Sequence, residues 1–403
     1  MIMGWGLSAL VALATFSPAR SACDDITQYL DIPEILDGDT TITLEVTTID
    51  CAAPAFTERE TVVIQGGTLT LVSTETVRFI NMGFTVEDGA ALVFDMPKTR
   101  FGPAETDSIE DADGYLLDVK EGGSATFLGK FVGKGVENAA SMFFNEGAIE
   151  FKKAATFQDN GNVFRTNSGT LKFRKSATFK DNSYLAIENI DSGFVRFSTT
   201  AIFDNNGDGM DGGDGCAVSN TDLDGTVIFR GDATFNNHNC DLAGAVSNTG
   251  MMKFYGKAYF NDNKASEYEE GTGGGFKNKL GSTIFKGAVQ FNNNEVTEFG
   301  GGLAVEGGDV TFEKAVLFDG NDAEFSGGAF SVTYGQEFKF GEVVASGYGT
   351  LTFEKPSVVR YRDNTVSRTD VDTSLAACTV GYVEDGSSVI GFPDDDICVD
   401  KFV

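Results

Sequence analysis

Length, composition and charge limit what kind of protein this chain is. Its 403 residues exceed the roughly 100–150 that one compact core organises, so we expect either several domains or one domain that grows by repetition. The 49 glycines and 35 phenylalanines beside only 7 prolines exclude a disordered linker and favour repetition. A formal charge of −30 opposes binding to nucleic acid and anionic lipid, and the 1 histidine excludes most catalytic triads and histidine-rich zinc sites.

Residues 1–21 have the pattern of a secretory signal peptide. An apolar stretch from Trp5 to Phe16 precedes the small-residue pattern Ala19-Arg20-Ser21, although the usual basic residue near the N terminus is missing. A buried N-terminal helix is the alternative. No later stretch stays apolar for the ~18 residues that a membrane helix needs, and the acidic run 393–396 does not fit a lipid-anchor signal. We therefore expect a secreted, extracellular or cell-surface protein with no membrane span.

The six cysteines remain after the predicted cleavage, an even number that fits disulfide formation outside the cell. They form three groups along the sequence, which favours local pairing, although the sequence alone does not select one pairing. No Cys-x-x-Cys spacing occurs, so a zinc or redox site is disfavoured. The expected pairs are Cys23–Cys51, Cys216–Cys240 and Cys378–Cys398.

A repeated unit occupies the middle of the chain. Its core is Phe-x5-Phe, and a glycine lies four residues before each first phenylalanine. Apolar residues alternate with polar ones around both phenylalanines, which predicts two short strands joined by a polar corner such as Lys152-Lys153 or Arg174-Lys175. The glycine step continues degenerately at Gly67-Leu71 and Gly89-Val93. The pairs are Phe151/Phe157, Phe173/Phe179, Phe197/Phe203, Phe229/Phe235, Phe254/Phe260, Phe285/Phe291 and Phe312/Phe318.

A third short strand follows a spacer of variable length in each unit. It opens with small residues, as in Cys216-Ala217-Val218, Gly244-Ala245-Val246 and Gly328-Ala329-Phe330. Three strands per unit, repeated about eleven times, predict an all-β solenoid, a parallel β-helix whose stacked phenylalanines fill a rod about 50 Å long. The predicted organisation is a signal peptide (1–21), an N-terminal cap (22–60), the β-helix repeats (61–364) and a C-terminal cap (365–403), with cysteines in both caps.

Most units place an asparagine three residues after the second aromatic residue. Because asparagine tolerates left-handed backbone and bonds to its own turn, we expect a stacked ladder at a corner of the coil, without a ligand role. One unit has His238 at this place, and we expect it to be a solvent-exposed substitution rather than a catalytic base. The corner asparagines are Asn160, Asn182, Asn206, Asn263, Asn294, Asn321 and Asn364.

Two sequence motifs, Gly-Gly-Ala and Phe-x-x-Asn, together resemble the repeat of the chlamydial polymorphic outer membrane proteins. Gly327-Gly328-Ala329 and six Phe-x-x-Asn units carry the likeness, which covers roughly residues 120–335. The resemblance implies a right-handed parallel β-helix of the pectin-lyase-like kind, on a surface-exposed and often adhesive protein. Those bacterial proteins end in a membrane barrel, which we do not expect in this chain.

An acidic, glycine-rich loop begins at Asp204. Oxygen-bearing side chains at alternating positions, followed by a glycine, match the first half of a calcium loop, but Gly215 replaces the bidentate glutamate at its end. The loop is therefore either a Ca²⁺ site or a solvated acidic insertion. The candidate ligands are Asp204, Asn206, Asp208, Asp211 and Asp214.

Two classes of function fit this sequence. The favoured class is a non-catalytic protein, adhesive or structural at the cell surface or in the extracellular matrix, with an extracellular glycan or a surface protein as partner. The alternative, a polysaccharide lyase or hydrolase, needs clustered acidic and basic side chains. Pairs such as Lys180/Asp181 and Asp262/Lys264 are explained by the corner motif, and an acidic surface repels a polyuronate. We expect no catalytic residue and no cofactor other than the candidate calcium.

Overall fold

The structure, a computed structural model, describes residues 39–44, 48–50, 60–80, 82–102, 115–136, 141–207, 215–265, 271–339, 342–354, 359–366, 381–384, 387–390 and 397–400. All regular secondary structure in these ranges is β-strand. The chain visits three long parallel sheets in turn, here called A, B and C, and from Asn239 onwards it adds a narrow sheet D between B and C. Each strand pairs with the strand of the same sheet from the next turn of the chain.

Sheet A carries the first phenylalanine of each pair. Parallel pairing places Phe151 on Phe173 and Phe173 on Phe197, with ring centroids 5.1 and 4.9 Å apart and nearly parallel planes. The predicted ladder is therefore confirmed. The strands are Thr40–Thr43, Thr68–Val72, Ala91–Asp95, Ser124–Phe127, Ala148–Phe151, Thr170–Phe173, Phe194–Phe197, Thr226–Phe229, Met251–Phe254, Ser282–Phe285, Gly308–Phe312, Glu342–Phe353 and Ser388–Ile390.

The degenerate unit at Gly89 is shifted by one residue from the prediction. Phe94, not Val93, is buried and stacks on Phe127 with centroids 4.6 Å apart. The reason is that Gly89, with φ of 70°, occupies the left-handed turn position that Gly122 occupies in the next coil, so the ladder residue follows one position later. The spacing of four residues after the glycine therefore does not always identify the residue that joins the ladder.

Sheet B carries the second phenylalanine of each pair, and Tyr361 continues this ladder beyond Phe318. Phe179 and Phe203 stack with centroids 4.7 Å apart, and small residues such as Ala177 and Ala201 fill the other inward positions. The strands are Thr48–Asp50, Thr76–Ile80, Lys98–Phe101, Lys130–Lys134, Ala155–Gln158, Ala177–Lys180, Ala201–Asp204, Ala233–Asn236, Ala258–Asn261, Val289–Asn292, Val316–Asp319 and Val359–Arg362.

Sheet C contains the predicted third strand of each unit, and sheet D lies directly before it in the later coils. Sheet D buries a small separate apolar cluster of Ala265, Val296 and Ala323. The strands of sheet C are Glu60–Ile64, Met82–Val86, Leu117–Val119, Phe143–Asn145, Phe164–Asn167, Ile187–Ile190, Val218–Asn220, Val246–Asn248, Phe276–Lys279, Leu303–Glu306, Phe330–Lys339, Gly381–Glu384 and Ile397–Asp400. Those of sheet D are Asn239–Cys240, Lys264–Ala265, Glu295–Val296, Asp322–Ala323 and Thr365–Val366.

One antiparallel hairpin interrupts the parallel order. The strands Phe330–Lys339 and Glu342–Phe353 leave sheets C and A and pair with each other, with Tyr334 opposite Tyr348. The two tyrosine rings lie 5.0 Å apart at the base of this arm. The sequence repeat did not predict the hairpin.

Described strands within both predicted caps extend the sheets. Thr40–Thr43 pairs in parallel with Thr68–Val72, and Gly381–Glu384 pairs in parallel with Phe330–Lys339. The capping role itself stays a prediction, and the predicted signal peptide, residues 1–21, lies outside the described ranges. The described chain is all-β, and its long parallel sheets are consistent with a parallel β-helix.

Candidate functional site

The corner asparagines form the predicted ladder, and it is buried. The side-chain amide of Asn263 donates to Oδ1 of Asn294 at 2.9 Å, and that of Asn294 donates to Oδ1 of Asn321 at 2.8 Å. Each amide also donates to a backbone carbonyl of the preceding coil, as Asn263 does to Phe235 at 3.1 Å. The left-handed residue is the one before the ladder position, for example Asp262 with φ of 55°. The ladder therefore links coils and is satisfied internally.

His238 contradicts the expectation of an exposed substitution. It is 1% exposed and occupies the inward ladder position between Asn206 and Asn263. Its Nε2 atom has no hydrogen-bond partner among the described residues. Burial outweighs its backbone hydrogen bonds and lowers the pKa of His238 to about 4. The imidazole is therefore neutral near pH 7 and inaccessible to a substrate.

Only part of the candidate calcium loop lies in the described chain. Oδ1 of Asp204 accepts a hydrogen bond from Asn237 at 2.9 Å, and Asn206 belongs to the buried ladder, where its side chain bonds to Asn182 and Phe179. The other candidate ligands, Asp208, Asp211 and Asp214, lie outside the described residues. Within the described ranges, no three acidic, histidine or cysteine side chains are grouped to hold a metal ion. Calcium binding therefore stays a prediction.

A disulfide joins Cys216 to Cys240, whose Cα atoms are 5.9 Å apart in successive coils. It confirms the central pair expected from the sequence. The other expected pairs, Cys23–Cys51 and Cys378–Cys398, each include a residue outside the described ranges. The observed bond ties the strand that enters sheet C at Val218 to sheet D one coil later.

Glycine-rich segments cover the outer face of sheet C in the later coils. Gly273, Gly300 and Gly327 have φ between 67° and 73°, and a side chain at any of them would collide with the strand three residues ahead. The outward positions beneath this cover are accordingly small and buried. They are Ser219, Ser247, Ala304 and Ser331. This close packing explains why the Gly-Gly-Ala motif consists of small residues.

Lys277 is the large exception under the glycine cover. Its side chain is 8% exposed, and its Nζ lies 3.4 Å from the carboxylate of Glu306 on the neighbouring strand. The hydroxyl of Thr272, in the covering segment, donates to the same carboxylate. These contacts hold the glycine-rich cover against sheet C. Because the amine of Lys277 is buried, it is poorly placed for acid–base chemistry on a large substrate.

The outer edge between sheets A and B is strongly basic, which the sequence reading missed. We call this group the basic edge. In each of six successive coils, it includes the outward-facing residue directly before the first phenylalanine of the pair and the corner residues directly after that phenylalanine. Only Glu150 and Asp232 bring negative charge to these positions. Its residues are Lys152, Lys153, Lys172, Arg174, Lys175, Arg196, Arg230, Lys253, Lys257 and Lys286.

Few carboxylates neutralise the basic edge. Lys152 and Arg174 both contact Glu150, and Lys286 contacts Glu313 at 2.6 Å. Burial acts to raise the pKa of Glu150, but the hydrogen bonds from Lys152 and Arg174 hold it below its ordinary value. The other seven basic side chains form no ion pair with any carboxylate of the described residues. The edge therefore keeps an excess of positive charge on an acidic protein.

An exposed aromatic ring lies within the basic edge. Tyr255 is 40% exposed, with the guanidinium carbon of Arg230 5.1 Å and the ammonium of Lys286 5.9 Å from its ring centroid. Both distances are in the range of cation–π contacts. Arg230 belongs to the coil before Tyr255 and Lys286 to the coil after it, so the two cations flank the ring along the sheets.

Comparison with known proteins gives no assignment. No protein-family model, curated protein sequence or solved structure matches this chain significantly. In the described part of the chain, no helix is long and apolar enough to cross a lipid bilayer.

Proposed function

We propose that this is a secreted, non-catalytic protein with an adhesive or structural role at the cell surface or in the extracellular matrix. In this proposal the chain forms a right-handed, pectin-lyase-like solenoid of about eleven coils, with repeats of the polymorphic outer membrane protein type and cysteine-containing caps. The observation that carries it is the continuity of the ladders, from Phe94 in an early coil to Phe353 in a late one.

The ladders support a stiff rod. Stacked phenylalanines fill the interior, and the corner asparagines bond from coil to coil, so neighbouring coils are fixed in register. Outward side chains then repeat at about 4.8 Å along the rod. A regular linear array of side chains suits multivalent contact with a polymer or a surface.

The acidic and basic pairs considered for catalysis do not converge. Lys180 lies 3.8 Å from Asp181 and 3.5 Å from Asp204 on the outside of sheet B, and Lys264 pairs with Glu295 at 2.7 Å on sheet D. Both lysines and all three carboxylates are at least partly exposed and follow the corner pattern. This arrangement supports the non-catalytic proposal over the polysaccharide lyase or hydrolase.

A paired assay separates these functions. The purified full chain is incubated with immobilised extracellular polysaccharides and surface proteins, and retention is measured together with the chain length of each polysaccharide. The proposal predicts retention on at least one surface with no shortening of any polysaccharide. Shortening that depends on protein concentration would establish the enzyme instead.

A further inference from the structure

We propose that the basic edge is a binding site for a single chain of an anionic polysaccharide, lying along the rod over six coils. This inference rests on the proposed adhesive function and names its ligand class. Strand spacing gives the edge a length of about 24 Å. That length accommodates several sugar units of an extended chain.

The charge distribution supports an anionic polymer as the occupant. The edge combines ten basic residues with two acidic ones, whereas the whole chain carries 30 basic and 60 acidic residues. Lys172 and Arg196 are direct neighbours on sheet A, and Lys253 lies two coils beyond Arg196 in the same column. A row of cations at this spacing focuses attraction along one line, while the surrounding acidic surface repels anions.

The width of the edge favours a single polymer chain over double-stranded nucleic acid or an anionic membrane. The corners at the far ends of sheets A and B carry acidic residues, such as Asp191 and Asp222 on one side and Asp181 and Asp262 on the other. A double helix or a flat anionic membrane is wider than the edge and would also face these carboxylates. A single sugar chain fits between them.

Polar and aromatic groups along the edge complement a sugar chain. Tyr255, which is 40% exposed, offers aromatic surface for contact with the C–H groups of a pyranose ring, and Arg230 and Lys286 lie beside it. The guanidinium and ammonium groups of the basic edge are the donors that sulfate, carboxylate and sugar hydroxyls require.

The test compares two charge-matched variants of the full chain. Lys172→Gln/Arg196→Gln/Lys253→Gln removes three cations from the basic edge, and Lys134→Gln/Lys180→Gln/Lys264→Gln removes three from the other faces, where each lysine pairs with a carboxylate. The probes are dextran sulfate, polygalacturonate, uncharged dextran, single-stranded DNA and phosphatidylserine vesicles. Affinity is measured at about 50 and 200 mM salt, since counterion release makes such binding salt-dependent.

We expect dextran sulfate, polygalacturonate or both to bind, and uncharged dextran not to bind. The edge variant should weaken binding by about tenfold and flatten its salt dependence, while the control variant binds like wild type. In addition, Tyr255→Ala should weaken binding more than Tyr255→Phe does, because phenylalanine keeps the aromatic ring.

Three results would overturn the inference. They are equal losses in the two triple variants, no binding of either anionic polysaccharide, and DNA or vesicles bound as tightly as dextran sulfate with the same loss in the edge variant. If wild type and edge variant adhere equally to other surfaces without cleaving them, the adhesive proposal survives while the ligand assignment fails. Cleavage of a bound polysaccharide would instead reject the proposed function.

Discussion

Nδ1 of His238 lies 3.1 Å from the backbone nitrogen of Asn206 and 3.0 Å from its carbonyl oxygen. Histidine thus holds the place in the corner ladder that asparagine holds in the coils on both sides. Asparagine completes this ladder with one acceptor and one amide donor, whereas the imidazole leaves a buried Nε2 without a partner among the described residues. The row of side-chain amide bonds from asparagine to asparagine is therefore interrupted at this coil.

Folding stability should therefore depend on pH through His238. Its pKa in the folded protein is about 4 and its ordinary value is 6.5, so the unfolded chain takes up the proton first as pH falls. The folding free energy that arises from this pKa difference is fully present above about pH 6.5. It is lost progressively as the pH falls towards 4, and the total loss is at most about 3 kcal/mol. Urea unfolding at pH 7 and at pH 4.5 measures this loss.

His238→Asn is the matched variant for this prediction. It restores the ladder residue of the other coils and removes the titrating group, so its stability should fall less than that of wild type between pH 7 and pH 4.5. The difference between the two proteins cancels the titration of the many carboxylates. An equal loss in both would show that folding does not shift the pKa of His238.

Phe229→Ala should destabilise the protein by about 3–5 kcal/mol, because it removes a buried ring and leaves a cavity. Phe229 stacks on Phe197 at 4.9 Å and on Phe254 at 4.7 Å. Phe194→Ala is the control, since Phe194 lies on the partly exposed outer side of sheet A and should cost less than about 1 kcal/mol. Chemical denaturation measures both, and similar losses would contradict the internal ladder.

Gly300→Ala should cost about 1–3 kcal/mol, since φ at Gly300 is 73°. The new Cβ would also meet the carbonyl oxygen of Leu303 and lie 2.7 Å from Oγ of Ser331. Gly347→Ala provides the comparison, because its Cβ would meet nothing within 4 Å. Thermal unfolding that shows no difference between the two variants would exclude the proposed cover over sheet C.

Peptide mapping under non-reducing conditions should recover Cys216 bonded to Cys240, together with the two expected terminal pairs. Cys216→Ser/Cys240→Ser should reduce stability by about 3 kcal/mol, since the bond closes a loop with a sequence separation of 24. Free thiols, or bonds between the two ends of the chain, would reject this pairing scheme.

Millimolar calcium should raise the melting temperature if the acidic loop binds it, because a ligand that binds only the folded state stabilises that state. Asp204→Ala/Asp208→Ala should reduce the effect. Calorimetry of both proteins with and without calcium is the measurement. Identical melting in all four samples would identify the loop as a solvated insertion.

The sequence was sufficient for the internal ladders. Alternation around residues such as Phe229 and Phe235, at constant spacing, predicts which side chains point inward, because the strand period is two. It also predicts the asparagine ladder and the central disulfide. The prediction was wrong at Val93, because a turn residue at Gly89 moves the buried ladder position to Phe94. It was also wrong at His238, because this corner position faces inward.

No single unit of the sequence shows the basic edge, which emerges only when the units are aligned on their first phenylalanines. Lys172 and Arg196 are neighbours only because the spacer between them completes a single coil, and spacers vary in length from unit to unit. The same applies to Lys277 and Glu306, which meet under a glycine cover that lies outside the two-residue alternation. Contacts between coils depend on register, which local patterns do not determine.

The most direct test of the account is binding of dextran sulfate to the full chain, with the size of the polysaccharide followed by gel filtration over time. We predict saturable, salt-sensitive binding that falls about tenfold in Lys172→Gln/Arg196→Gln/Lys253→Gln, with the polysaccharide unchanged in length. Absence of binding to dextran sulfate and likewise to polygalacturonate, or progressive shortening of the polysaccharide by wild type, would contradict a non-catalytic protein that adheres through its basic edge.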